Sequence, residues 1–274
     1  DNLTPQEAFA MTAFKHELDI YLMTDGNQSP VVSNLRADMA NENLGKLSSA
    51  TLRNTNKLSR ALEHIETQFK PSEISARVIG RIKQLAMDNE VEFRVLSDKE
   101  MNDRYGEGSQ GAYDGTTATV YLRDGMTFND QVHTLVHEAT HAFLNKKAFA
   151  YSNYKQARIQ GRQVTPADFG LTEQDLSLLT DMEALMNKVR GSDVFKHPRY
   201  SEVAKVQVED GATVPYGLSF DEHSHHALSE FASEMFSSDP FRRAVADAVS
   251  QADGVNLHTA KGRVRQLLRK IAEF

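Results

Sequence analysis

Residues 129–143 read Asn-Asp-Gln-Val-His-Thr-Leu-Val-His-Glu-Ala-Thr-His-Ala-Phe, with His137 and His141 four positions apart and Glu138 directly after the first. On a helix this spacing puts both imidazoles on one face, about a turn apart, where they can reach a single metal ion. Glu138 then points beside the same place, and its carboxylate can take a proton from a water held there. The segment is therefore expected to be helical, and the third ligand must arrive from elsewhere in the fold. The surrounding residues agree. Asn129 is expected to cap the first turn with Asp130 inside it, and Val132, Leu135, Val136, Ala139 and Phe143 form an apolar stripe at helical spacing. His133 extends the histidine row by a turn, but it would stand about 12 Å along the axis from His141, so it is read as a neighbour and not a ligand.

The chain has no cysteine, which excludes disulfides, thiolate ligands and cysteine nucleophiles. Any metal must be held by histidine and carboxylate. A length of 274 residues with 40% hydrophobic content is enough for one large domain or two modest ones with a real core. The net charge of -7 argues against a nucleic-acid partner, because backbone binding needs an excess of Lys and Arg. Lys261, Arg263, Arg265, Arg269 and Lys270 cluster on an expected C-terminal helix and are read as its solvated face. No run of about 18 apolar residues occurs, and the start shows no basic-then-apolar pattern, so neither a membrane span nor a signal peptide is expected. Asp at position 1 is what a trimmed or processed piece would show.

Read in order, Thr4-Pro5-Gln6-Glu7 is a capping-box pattern that opens a helix over residues 4–23, stopped by Asp25-Gly26-Asn27-Gln28-Ser29-Pro30. Further helices are expected over 33–44, 48–69 and, from Ser72, 72–89, with Leu52, Leu58, Leu62, Ile65 and Ile82 as packing positions. Residues 1–90 thus read as a helical N-terminal unit and 91–274 as the unit that carries the chemistry. Residues 91–95 alternate like a strand, a short helix follows, and 106–111 is a glycine-rich loop. Residues 112–114 and 117–122 are expected as strands around Gly115, the second being the sheet edge that would present an extended peptide to the metal. Past the motif, 151–167 reads as polar and loop-like, with 155–160 able to form a turn of helix, 172–190 as a helix ending at Gly191, and 193–217 as mostly irregular. Helices over 221–237, from Asp239-Pro240 to about 251, and from His258 complete the chain.

A zinc hydrolase keeps three protein ligands and leaves a fourth position for water. Leu144 and Lys147 stand where a metzincin would have Gly and His, so the third ligand lies elsewhere. The best candidate is Glu230 in Leu228-Ser229-Glu230-Phe231-Ala232-Ser233-Glu234, where two carboxylates share a helix face beside Phe231, Met235 and Phe236. Glu234 is then the acid that orients a ligand histidine. Spacing alone leaves the two roles exchangeable. His223, His225 and His226 compete, but a helix lets at most two of them converge, and they are read as cleft or helix-start residues.

These motifs carry a resemblance. Gly111-Ala112-Tyr113-Asp114, residues 135–142, Tyr216-Gly217-Leu218-Ser219, Glu230-Phe231-Ala232-Ser233-Glu234 and Asp239-Pro240-Phe241 are similar to the zincin-like domains of large phage-encoded polyvalent proteins. More widely, the paired motifs resemble zincin metallopeptidases with a glutamate third ligand, such as thermolysin-like enzymes and the catalytic domain of anthrax lethal factor. The likeness covers residues 111–243 and does not extend to the helical first third. It departs from thermolysin-like enzymes in having Glu234 where they have Asp.

The resemblance implies an α+β, mostly helical zincin-like fold with a small mixed sheet over residues 91–274. It further implies Zn2+ held by His137, His141 and Glu230, and hydrolysis of a peptide or protein substrate with Glu138 as general base. The setting it points to is a virion-associated or delivered protease. Tyr216 is the nominee to donate a hydrogen bond to the developing oxyanion, with Tyr113 and Tyr121 as rivals. The alternative is a zincin fold retained as a structural or peptide-binding part of a virion or delivery system. That reading has no use for Glu138. Hydrolysis of a non-peptide bond is a third reading.

Overall fold

The computed structural model describes residues 30–68, 73–208, 211–221 and 224–272. The helix expected over 4–23 lies outside the described residues, as do Ser72 and His223. The first described helix, α1 (Pro30–Leu52), starts at a proline read only as a breaker and runs unbroken where a gap was expected between residues 44 and 48. Proline is tolerated in a helix's first turn because its missing amide would have no helical partner there. The helix survives Gly45 because tertiary contacts outweigh glycine's low propensity. The buried side chain of Gln131 donates to the Gly45 carbonyl at 2.9 Å, to Ser49 Oγ at 2.9 Å and to the Met126 carbonyl at 3.1 Å. The break comes later, before α2 (Leu58–Gln68), and α3 (Glu73–Asp88) follows.

Strand β1 (Glu92–Leu96) leads into α4 (Asp98–Tyr105), which Ser97 and Glu100 cap reciprocally. Then come β2 (Gly111–Asp114) and β3 (Thr119–Arg123). The sheet order is β1-β3-β2, with β1 parallel and β2 antiparallel to β3, so Phe93 and Tyr113 both pair with Val120. This corrects one expectation. The strand over 117–122, read as the edge, is the centre of the sheet and is paired on both sides. Its burial explains why: Thr119, Val120, Tyr121 and Leu122 are all buried, the continuous pattern of an interior strand and not the alternation of a half-exposed one. The edge beside the motif helix is β2. The turn between β2 and β3 pivots on Ala118, at φ 49°, and not on Gly115; Asp114 stabilises it by accepting from the Thr116 amide at 2.8 Å.

The motif helix α5 (Phe128–Ile159) is 32 residues long. Thr127, not Asn129, is its cap, accepting from the Asp130 amide, while the Asn129 amide donates to Asn41 Oδ1 at 2.9 Å. The helix also continues through residues expected to form a loop. Polar side chains there anchor it to α6 (Glu173–Val189): Tyr151 donates to Glu183 at 2.9 Å and Lys155 pairs with the same carboxylate. The stretch expected to be irregular contains short 3-10 turns and a hairpin, β4 (Lys205–Gln207) with β5 (Thr213–Pro215). A single turn, Tyr216–Leu218, precedes α7 (His225–Ser237), which Ser224 caps. Helices α8 (Asp239–Asp253) and α9 (Leu257–Ala272) complete the described chain.

The result is a mostly helical α+β protein with a small mixed sheet. One apolar core joins Leu52, Leu62 and Ile65 to Phe93 and Val120 of the sheet, to Leu135 of α5, and to Phe231, Phe241 and Val264 of the C-terminal helices. Buried residues of α1, α2 and α3, from Leu52 to Ala86, thus share one core with the sheet and the C-terminal helices. Helix α9 buries Ala260, Val264 and Leu268 and exposes Lys261, Arg265 and Arg269. Among the described residues, no helix is long and apolar enough to cross a membrane.

Candidate metal centre

Helix α7 packs along the part of α5 from His133, beside Ser237, to Asn145, beside Ser229, and the site lies in that interface. From α5 come His137, Glu138 and His141; from α7 come Glu230 and Glu234, one turn apart on the face that meets them. His137, His141, Glu230 and Glu234 are buried, and Glu138 is half-buried. The two Nε2 atoms of His137 and His141 stand 3.1 Å apart. Glu230 Oε2 is 3.2 Å from His137 Nε2, and Oε1 is 3.4 Å from His141 Nε2. Tetrahedral zinc with ligands near 2.05 Å has ligand-to-ligand edges of about 3.3 Å. The histidine pair is close to that edge, and each Glu230 oxygen stands at about that distance from one of the two nitrogens.

The donor set also fits. His137, His141 and Glu230 are the group of metal-capable side chains found among the described residues, with ligand atoms within 4.8 Å of one another. Glu230 Oε2 is buried without a hydrogen bond although a histidine nitrogen is 3.2 Å away, an arrangement that a cation between them would satisfy. A buried group able to hold a metal ion is therefore present.

The neighbours decide which carboxylate does what. Glu234 Oε1 is 3.3 Å from Nδ1 of His137, the nitrogen facing away from Glu230. The two acids therefore stand at opposite edges of one imidazole, Glu230 beside Nε2 and Glu234 beside Nδ1. His133 lies beyond Glu234: its Nε2 is 3.7 Å from the same Oε1 and 3.2 Å from Ser237 Oγ, so it belongs to the surroundings and not to the ligand set.

Two partners were not foreseen. His141 Nδ1 is 2.8 Å from Ser229 Oγ and 3.2 Å from Asn145 Oδ1, and Ser229 donates to Asn145 in turn. Asn145 was findable, because it follows His141 by four residues on the same helical face. Ser229, adjoining Glu230, required knowing how α7 is rotated against α5. His226 is exposed at the start of α7, and the side chain of His225 lies outside the described residues.

Tyr216 is brought to the site. Its ring centre is 6.2 Å from that of His137, and Glu230 lies close enough to act on its phenol electrostatically. Arg190 of α6 holds the turn that carries it, donating to the Leu218 carbonyl at 3.2 Å and the Phe220 carbonyl at 2.9 Å. Of the rivals, Tyr121 is buried with Leu96 and Met101 in a separate cluster. The Tyr113 ring packs on the main core, while its main-chain amide faces the Glu138 carboxylate.

The electrostatics of the protein alone follow from this crowding. Burial lowers the basicity of His137, but contacts with Glu230 and Glu234 override it and raise its pKa to about 10. Burial would raise Glu230, yet His137 and His141 hold it down at about 2. The buried ensemble therefore carries an imidazolium where a cation would otherwise balance the carboxylates. Burial pushes Glu138 up, opposed by the two histidines. Burial, with the nearby Glu230, Glu138 and Glu234, also raises Tyr216, which keeps the phenol protonated as a donor. Comparison of the chain with protein-family models, with curated proteins and with solved structures found no significant match.

Proposed function

We propose that the protein is a zinc-dependent endopeptidase of the zincin type with a glutamate third ligand. The observation that carries this reading is the buried convergence of His137 Nε2, His141 Nε2 and the Glu230 carboxylate within 3.1 to 3.4 Å, with Glu138 next to the first histidine. Two histidines and a carboxylate, without cysteine, form a donor set suited to zinc with one coordination position left open. When bound, zinc supplies a Lewis acid that polarises a carbonyl and lowers the pKa of water.

The chain's own groups do the rest. Glu234, 3.3 Å from His137 Nδ1, can accept that nitrogen's proton, and Ser229 with Asn145 can do the same for His141, which would leave each Nε2 lone pair for the ion. Glu138 takes a proton from the attacking water and returns it to the leaving amine, a role served by a carboxylate whose pKa burial has raised. Tyr216 donates its phenol hydrogen as negative charge builds on the carbonyl oxygen. Beside Glu138, β2 pairs only with β3 among the described strands, so its other side offers main-chain groups to an extended peptide.

The test is to incubate the zinc-loaded protein with a denatured protein mixture and label the new amino termini. New termini that appear with zinc and vanish with a chelator support the reading. A zinc-loaded protein that generates none contradicts it and leaves a binding or structural role.

A further inference from the structure

We infer that Gly111 and Gly217 are positioning residues for the two outer carboxylates of the site, Gly111 fixing where Glu138 sits and Gly217 fixing where Glu234 sits. The inference rests on the zinc-hydrolase reading above and adds to it the residues that hold its geometry. At Gly111, a β-carbon would stand 2.8 Å from Glu138 Cγ, 2.4 Å from Thr134 Cγ2 and 3.2 Å from the Tyr121 carbonyl. At Gly217, it would stand 2.8 Å from Glu234 Cγ, 2.9 Å from Glu234 Cβ and 3.2 Å from Phe241 Cζ. Neither glycine has positive φ, so space and not backbone conformation excludes a side chain at both places.

The atoms met are the reason this concerns chemistry. Around Gly111, the Tyr121 carbonyl belongs to the central strand, whereas Thr134 Cγ2 and Glu138 Cγ are both side-chain atoms on α5, and both must give way. Glu138 Cγ is bonded to the carboxyl carbon, and pushing that atom turns the carboxylate away from its place beside His137. The same strand carries Tyr113, whose amide faces that carboxylate, so the β2 edge both makes room for the base and faces it with a donor. Around Gly217 the clash reaches Glu234 Cβ, which cannot move independently of α7. Relief there requires a shift between the Tyr216–Leu218 turn and Glu234, which holds His137 Nδ1 at 3.3 Å. Other glycines differ: Gly262 on α9 has nothing within 4 Å of an added β-carbon.

The two positions should therefore fail differently. In Gly111→Ala, zinc affinity should stay within about threefold of the parent while turnover at saturating zinc falls about a hundredfold, the scale of loss expected from a 1 Å misplacement. In Gly217→Ala, zinc affinity itself should fall about 10- to 100-fold, as for other disturbances of a ligand's orienting partner. Gly262→Ala should change neither. Affinity is read by competition with a chromophoric chelator and turnover by peptide-bond cleavage. If Gly111→Ala folds poorly, adding Thr134→Ser removes the closer clash and keeps the one with Glu138, so the double variant should fold and remain slow. Full turnover in Gly111→Ala, parallel loss of zinc and turnover in that variant, or unchanged zinc affinity in Gly217→Ala would overturn the inference. If the parent protein cleaves nothing, the functional reading fails on its own. Crystal structures of the zinc-loaded variants then decide the inference, which is supported by a displaced Glu138 carboxylate and a lengthened Glu234 to His137 contact, and refuted by unmoved ones.

Discussion

Glu234 Oε1 stands 3.3 Å from Nδ1 of His137, on the opposite edge of the imidazole from Glu230. With a metal at Nε2 the remaining proton lies on Nδ1, where this carboxylate can accept it and make Nε2 more basic. Glu234→Ala should therefore weaken zinc binding by about 10- to 100-fold without removing a ligand. Ser229→Ala should weaken it less, because Asn145 still reaches His141 Nδ1 at 3.2 Å. Chelator competition on the three proteins checks the order.

Loss of a ligand should be more severe than loss of an orienting partner. Metal analysis of the purified parent should find one zinc per chain, and His137→Ala and Glu230→Ala should each be purified largely without it. Unchanged occupancy in either variant removes that residue from the ligand set.

The pH dependence of the metal-free protein follows from the same contacts. His137 is raised from 6.5 to about 10 in the fold, so its contribution to stability is complete below pH 6.5 and is lost as pH rises through about 10. Glu230 is lowered from 4.5 to about 2, so its contribution is complete above pH 4.5 and is lost as pH falls through about 2. Thermal melts of chelator-treated protein should show Tm falling from pH 6.5 to 9, with the fall reduced in His137→Ala. Zinc must displace the His137 proton, so its affinity should instead climb over this range. Calorimetry near pH 7.5 in buffers of different ionisation enthalpy should show about one proton released per zinc bound.

Tyr216→Phe removes only the phenol oxygen from a ring 6.2 Å from His137. Loss of a single oxyanion donor costs about 10²- to 10³-fold in kcat. Zinc content and KM should change little. A variant with parental kcat would return the ring to a packing role.

Much of the candidate site was legible in the sequence because the residues that converge there follow from helical periodicity. His137 and His141 share a face by spacing alone, and Glu230 with Glu234 was recognisable as a pair; which of them meets the two Nε2 atoms depends on how α7 is rotated against α5. The sheet was harder to read. Residues 119–122 look like any apolar strand, and their central position comes from the parallel partner β1, more than twenty residues earlier in the chain. The length of α5 was hidden because Tyr151 and Lys155 read as loop polarity until their shared partner Glu183 is brought alongside. Gly45 likewise looked like a helix end, and only Gln131, 86 residues later, shows why it is not. In each case the missing information was a long-range contact that overrides local propensity.

The central claim is that water is activated by Glu138 at a metal held by other residues, and cleavage by Glu138→Gln tests it most directly. The amide keeps the shape of the side chain but cannot accept the proton. Zinc content measured on the same sample should equal the parent's, while the rate at which new amino termini form should fall by about 10²- to 10⁴-fold, the contribution of general acid–base catalysis. A zinc-loaded Glu138→Gln protein that cleaves near the parental rate would contradict the account.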